Sequence, residues 1–394
     1  MPDVRKIRVM HVSMLGVPLS SSPGFKSQLA AEWCAGESIR TSSTIDWRTV
    51  LLVPDNNDEK YDEFRVPVLK IPKLYRGRLL RRLYLWRYVQ RAAKQNDVVL
   101  VRHSVVDPFE SLCIRLLPNV AVVHHTKTVE ELSEMGHSVL SRVEAGLRWL
   151  NRRWARWPIG VTAELSQDAR GRGCFAASDL VLPNGINLST VSSLATNRRE
   201  NSDIHVIFVA SRFVSWHGLD RLFDALQKWS PRSKDHLTVH LVGDLTDAHV
   251  LASEQLRSEW LEVRIHGRLE QEEIAELTAQ VDVGIGSLAL DRNGMKDACT
   301  LKVRDYLAAG LSVYSGHRDS GLPDDFPYYL HVKSVDVKQL IEFALKSREV
   351  DRQSVRLAAE PYISKEAIMR RVGDGILREI QRNERCVSAL HWER

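Results

Sequence analysis

At 394 residues the chain is longer than a single hydrophobic core usually supports, so two domains are expected. An apolar content of 44% and a charged content of 27% describe a globular protein, neither disordered nor fibrous, and a net charge of +5 does not make the chain as a whole a polycation. No apolar run approaches the roughly 18 residues of a membrane span, which excludes a bilayer-crossing helix.

Met1 to Lys6 leads directly into Ile7-Arg8-Val9-Met10-His11-Val12, which reads as a first strand without a secretory signal, so a cytoplasmic chain is expected. Short apolar runs then alternate with helical patterns: Val50 to Val53, Val98 to Val101, Val120 to Val123, Ile159 to Val161 and Leu180 to Leu182. Such alternation predicts an α/β domain with a parallel sheet over 1–187. Pro183-Asn184-Gly185-Ile186 is a turn, and the polar stretch 188–203 reads as a linker. A second alternation, Val206 to Ala210, Val239 to Val242, Val263 to His266, Val281 to Ile285 and Ser312 to Tyr314, predicts a second doubly wound domain over 204–363. The five cysteines are scattered and never spaced C-x-x-C, against both a disulfide framework and a zinc site.

Within the first domain, Leu69 to Asn96 contains no acidic residue. Lys70, Lys73, Arg76, Arg78, Arg81, Arg82, Arg87, Arg91 and Lys94 alternate there with leucines and aromatics. A basic amphipathic helix of this kind suits an anionic membrane surface, here the inner face of the plasma membrane, or a polyanionic acceptor. The segment 148–157 has similar character. Burial of the apolar residues against the core, with the arginines merely solvated, is the equal alternative. No nucleic-acid-binding module accompanies the charge, so nucleic acid is the poorer partner.

The densest chemistry lies at Met295 to Tyr314. Asp297 falls in a loop, Asp305 inside the helix that follows, and Gly310 suits a helix stop before a short buried strand. Backbone N–H groups around Ala298, Cys299, Thr300 and Leu301 would form a cradle for an anion such as a diphosphate. Lys302 could join them, or pair with Asp305 three residues on along the helix.

This segment resembles the donor site of retaining glycosyltransferases of the GT-B type, family-4-like (glycosyl transferases group 1), in which two glutamates separated by seven residues bracket the phosphate loop. Asp297 and Asp305 keep that spacing with shorter side chains. The resemblance implies two facing Rossmann-like domains with a cleft between them, and a last helix, 364–394, that crosses back to the first. It implies a UDP- or GDP-linked sugar donor with no further cofactor and no metal, and a glycan or lipid-linked acceptor in polysaccharide biosynthesis. Asp305 would then hold the ribose hydroxyls and Asp297 those of the sugar. The same resemblance places Arg212 and His217, the latter where lysine is usual, on the departing diphosphate. It puts Gly243, Arg268 and Leu269 in the nucleobase slot and Gly24 near the phosphate and acceptor. His125 would face the donor sugar and acceptor, with His124 as the competing choice. Two other readings stand beside it: a catalytically silent GT-B scaffold, and a sugar-nucleotide epimerase on the same architecture.

Overall fold

The structure, a computed structural model, describes residues 6–16, 22–55, 65–171, 180–191, 203–230 and 236–392, with backbone alone for 383–392. The described chain forms two compact units, 1–187 with 364–394, and 188–363. Residues 192–202 of the expected linker lie outside the described residues, and Leu188–Thr190 is a single 3-10 turn.

The first unit runs β1 (Ile7–Met14), α1 (Pro23–Ser42), β2 (Ile45–Pro54), β3 (Val68–Ile71), α2 (Arg78–Ala93), β4 (Val98–Arg102), α3 (Glu110–Leu116), β5 (Val120–His124), α4 (Thr128–Glu134), α5 (Ser138–Trp154), β6 (Pro158–Gly160) and α6 (Ala163–Ala169). Its six strands pair in parallel in the order β3-β2-β1-β4-β5-β6. Val98 to Val101 is buried throughout, the continuous apolar run of a strand covered on both faces. Leu180 to Leu182 is not a strand of its own. Only Val181 bridges to Gly160, because Pro183 follows and cannot extend a ladder.

The segment 69–96 is not one helix either. Its first residues form the edge strand β3, the turns over 72–77 follow, and α2 begins at Arg78, after Gly77 at φ +88°. The period-2 run Val68 to Ile71 was hidden in the sequence by its lysine. On α2, Leu85, Trp86 and Val89 face the core, whereas Leu79 and Leu80 stay exposed, as does Leu74 at 81%.

The second unit runs β7 (Ile204–Arg212), α7 (Leu219–Lys228), β8 (Leu237–Asp244), α8 (Asp247–Glu254), β9 (Leu261–Gly267), α9 (Gln271–Ala279), β10 (Val283–Ile285), α10 (Leu301–Ala308), β11 (Ser312–Ser315), β12 (Tyr329–His331), α11 (Val337–Arg348) and α12 (Arg352–Ile363). These strands are also parallel, in the order β12-β11-β10-β7-β8-β9. The chain then returns to the first unit as α13 (Lys365–Trp392), which lies on α1 and buries Ile368, Met369, Val372 and Ile376. Strand order reverses between β1 and β4 in the first unit and between β7 and β10 in the second. Ligands of open parallel sheets bind outside the carboxyl ends of strands at such points.

Candidate active site

In the second unit, β7 carries an irregular register between Val209 and Arg212 as it meets the end of β8. Gly243 makes that approach possible. It sits at φ +126°, and a Cβ there would lie 1.6 Å from the Ala210 carbonyl oxygen. Arg212, the last residue of β7, is exposed and forms no ion pair among the described residues. Asp244, a carboxylate that feels its charge, is already held by Arg268, whose Nε donates to Asp244 Oδ1 at 2.8 Å. That bond occupies the Arg268 side chain and leaves its backbone, like that of Leu269, at the end of β9.

Beyond Arg212 the chain makes one 3-10 turn, Ser215–His217, and Gly218 at φ +72° sits against Leu288 and Ala289 of the loop after β10. The Leu288 and Ala289 N–H groups donate to the His217 and Trp216 carbonyls, 2.8 and 3.3 Å. His217 is turned back onto its own loop, its Nδ1 accepting from the Val214 N–H at 3.1 Å. Burial, reinforced by Lys302, lowers its pKa to about 3. At neutral pH it therefore carries no charge, and the proton sits on Nε2.

The loop at Asp297 is shaped by a backbone bridge between Asp297 and Arg318. The Ala298 N–H donates to the Arg318 carbonyl at 3.0 Å, which corrects the expected cradle: this group is spent on the loop and cannot meet an anion. The Cys299 thiol is also withdrawn, buried and raised in pKa by burial and by Asp319. The opening moves one turn on, to the start of α10. Thr300 occupies the N-cap position but its hydroxyl caps nothing, so the first-turn N–H groups at Leu301 and Lys302 have no side-chain cap. Lys302 does not pair with Asp305. Its Nζ lies 4.9 Å from the centroid of the Phe208 ring, whereas Asp305 reaches solvent on another side of the helix.

Sequence reasoning missed what holds this loop. Arg304 is fully buried and its Nη2 donates to Asp319 Oδ1 at 2.9 Å, tying α10 to the loop after β11. His317 is equally buried, its Nδ1 2.8 Å from the Ser315 hydroxyl and 3.1 Å from the Ser287 carbonyl. Neither residue has a spacing that announces its partner.

Buried side-chain polar atoms without a hydrogen-bond partner are uncommon, and each asks for an explanation. Among the described residues they are His11 Nε2, His125 Nε2, His236 Nδ1, Asn293 Oδ1, Thr300 Oγ1, Lys302 Nζ, His317 Nε2 and Ser320 Oγ. Five of these eight lie between Asn293 and Ser320, around the donor loop.

Two more, His11 and His125, belong to the first unit. His124 and His125 are consecutive and face opposite ways. His124 lies 4.8 Å, ring to ring, from His103, while His125 feels Arg102, His11 and Lys365, which together with burial hold it neutral. On the His125 side, Glu32 of α1 accepts from His11 Nδ1 at 2.7 Å, Trp47 Nε1 at 3.0 Å and Thr49 Oγ1 at 3.1 Å, with Lys365 Nζ at 3.7 Å. Gly24 lies in the first turn of α1, whose N-cap Ser22 makes no capping bond. On the His124 side, His103 is clamped between Glu110 (3.0 Å) and Glu144 (2.9 Å). Burial opposes its charge, but the two carboxylates prevail and raise it to about 10. A cavity of about 30 Å³ lined by Glu110, His124 and Arg148 has room for a water molecule and not for a nucleotide. No group of ligating side chains among the described residues has the geometry of a metal site.

No protein-family model matches the chain, and comparison with curated proteins finds no match in sequence. Solved structures share its fold. Anabaena HepE in complex with UDP and glucose gives a TM-score of 0.57 at 14% identity over 93% of this chain and 98% of that one. The lipopolysaccharide outer core galactosyltransferase WaaB, in its apo form, gives 0.60 at 12% identity over 93% and 99%. The N-terminal domain of Candida albicans trehalose-6-phosphate phosphatase gives 0.56 at 10% identity over 95% and 96%. The chain therefore has the α/β GT-B fold. Identities this low establish the fold alone, and function has to be argued from the site.

Proposed function

We propose that the protein is a glycosyltransferase that moves a sugar from a nucleoside-diphosphate donor, UDP- or GDP-linked, to an acceptor hydroxyl, with retention at the anomeric carbon and without a metal. The observation that carries this reading is the set of unpartnered polar atoms around the donor loop, beside an unpaired Arg212 and an uncapped helix start. Cleaving the donor develops negative charge on the diphosphate. Arg212, the first turn of α10 and Lys302 would meet that charge, with His217 limited to a neutral N–H. Asp305 and Asp297 would accept from ribose and sugar hydroxyls, Gly243, Arg268 and Leu269 would border the base, and His125 and Gly24 would serve the acceptor side. HepE, bound to UDP and glucose, and WaaB, a galactosyltransferase, support a nucleotide-sugar donor by likeness of fold.

The acceptor we infer is a lipid-linked or cell-surface glycan at an anionic membrane. Leu74, Leu79 and Leu80 are exposed among Lys73, Arg76 and Arg78, and on α5 Val139, Val143 and Trp149 are exposed near Arg142 and Arg153, a combination that favours an anionic bilayer. No helix among the described residues is long and apolar enough to cross it.

The test is thermal stabilisation across a panel of nucleotide sugars, followed by turnover of any responder. One responder is expected, lost in Arg212→Ala and Asp305→Ala without a change in the unliganded melting temperature. A folded protein that answers to none refutes the donor reading, and one that binds without breaking the sugar bond is the silent scaffold.

A further inference from the structure

Resting on the reading of the second unit as a nucleotide-sugar site, we propose that Lys302 Nζ is the second cation facing the diphosphate, in place of any side chain at position 217, and that it takes up a proton as the donor docks.

The diphosphate of a nucleotide sugar carries two negative charges, and Arg212 supplies one cation. His217 does not supply the other, because its Nδ1 is occupied by the Val214 N–H and its ring lies edge-on to Phe208, centroids 6.4 Å apart. Lys302 approaches the same Phe208 ring with its ammonium carbon chain running from the first turn of α10, so Nζ and the uncapped N–H groups belong to one end of one helix. Nζ is buried and has no hydrogen-bond partner among the described residues.

The groups near it are His217 from the turn after β7 and His317 from the loop after β11, each losing basicity to the lysine's charge. On its own helix, Arg304 is engaged with Asp319, and Asp305 leaves on another side. Among the described residues no carboxylate compensates the ammonium, and desolvation lowers its pKa to about 7. An arriving diphosphate is the missing counter-charge. It restores the lysine's basicity, and the proton comes from solvent.

At pH 8 the other candidates are already settled. His217 and His317 titrate far lower, at about 3 and about 4, and Asp305 is ionised. Binding at pH 8 should therefore take up about 0.9 proton, and affinity should fall about fivefold from pH 7 to pH 8. A nucleotide sugar is the right probe because its diphosphate, lacking a terminal phosphate, does not titrate in this range.

The experiment is calorimetric titration of the full chain with UDP-glucose and, separately, GDP-mannose, at pH 8 in two buffers of different ionisation enthalpy. The expected result is uptake near one proton in the wild type. Lys302→Met should bind at least tenfold more weakly with no uptake. His217→Lys placed in the Lys302→Met background should recover affinity, because it restores a second cation beyond β7. Binding with no uptake in the wild type, or uptake that survives in Lys302→Met, overturns the proposal and leaves the donor reading intact. Binding of neither probe removes both.

Discussion

Replacing Glu32 by Gln tests whether a single buried carboxylate pins the returning helix α13 to the first unit. Glu32 is buried and gathers His11, Trp47 and Thr49 within 3.1 Å, with Lys365, the first residue of α13, at 3.7 Å. Its pKa lies well below the usual carboxylate range: His11 and Lys365 together outweigh the burial that would raise it. Glutamine keeps the shape and can still accept from Trp47 or Thr49, but it removes the charge opposite Lys365. Leaving one member of a buried pair uncompensated costs about 3–5 kcal/mol, and the retained neutral bonds spare about 1 kcal/mol each. A loss of about 3 kcal/mol follows, which for a unit of this size is a fall of about 6–12 °C in melting temperature. Because the folded-state pKa is depressed, this stabilisation is complete above the unfolded carboxyl pKa and is lost only as pH falls through the folded value. The deficit of Glu32→Gln should thus be the same at pH 5.5 and pH 7. Urea unfolding measures it, and Lys365→Met in the Glu32→Gln background should recover at least about 1 kcal/mol by removing the stranded cation. A deficit under about 1 kcal/mol, or strictly additive losses in the double variant, would refute the reasoning.

Two further outcomes follow from the geometry. Gly243→Ala has to move backbone, because the new methyl would overlap the Ala210 carbonyl at a φ that L-residues avoid; a loss of about 2 kcal/mol or more is expected, together with weaker nucleotide-sugar binding, and an unchanged melt would count against the close β7–β8 approach. His103, raised to about 10 by Glu110 and Glu144 against burial, contributes stability that is fully present below its unfolded pKa of about 6.5 and lost as pH rises through about 10. Across pH 7–10 the wild type should lose urea stability relative to His103→Gln, and parallel profiles would show that the imidazole is not charged.

The doubly wound strands were legible because each is a short run of buried aliphatics between turn signals. The edge strands β3 and β12 were not, since Leu69 and Lys70 are solvated and Tyr329 to His331 shows no alternation. The asymmetry of the basic segment was legible, but its division into strand, turn and helix depends on pairing with β2, which is a long-range fact. At the candidate site, Arg212 and the Asp297 to Lys302 loop could be singled out by residue type and spacing. Which N–H groups stay open could not, because the bond from Ala298 goes to Arg318, and Arg318 is placed by β11 rather than by the loop. The Glu32, His103 and Arg304 clusters were equally hidden. Each joins residues from separate elements, and a lone carboxylate or arginine in a helix looks the same whether it is solvated or holds a core together.

The buried charges of the two units meet different partners, which bears on the proposed diphosphate contact. In the first unit the buried carboxylates Glu32, Glu110 and Glu144 are each matched by a cation or imidazole, while buried Arg82 donates to the Val105 and Val106 carbonyls. In the second, Arg304 is matched by Asp319, whereas Lys302 Nζ has no hydrogen-bond or carboxylate partner among the described residues. A buried, unpaired ammonium works against folding and is expected only where something else holds it in place. The proposed diphosphate contact would account for that cost and for the uncapped start of α10. On that proposal, the cost of burying Lys302 should reappear as affinity for the nucleotide sugar.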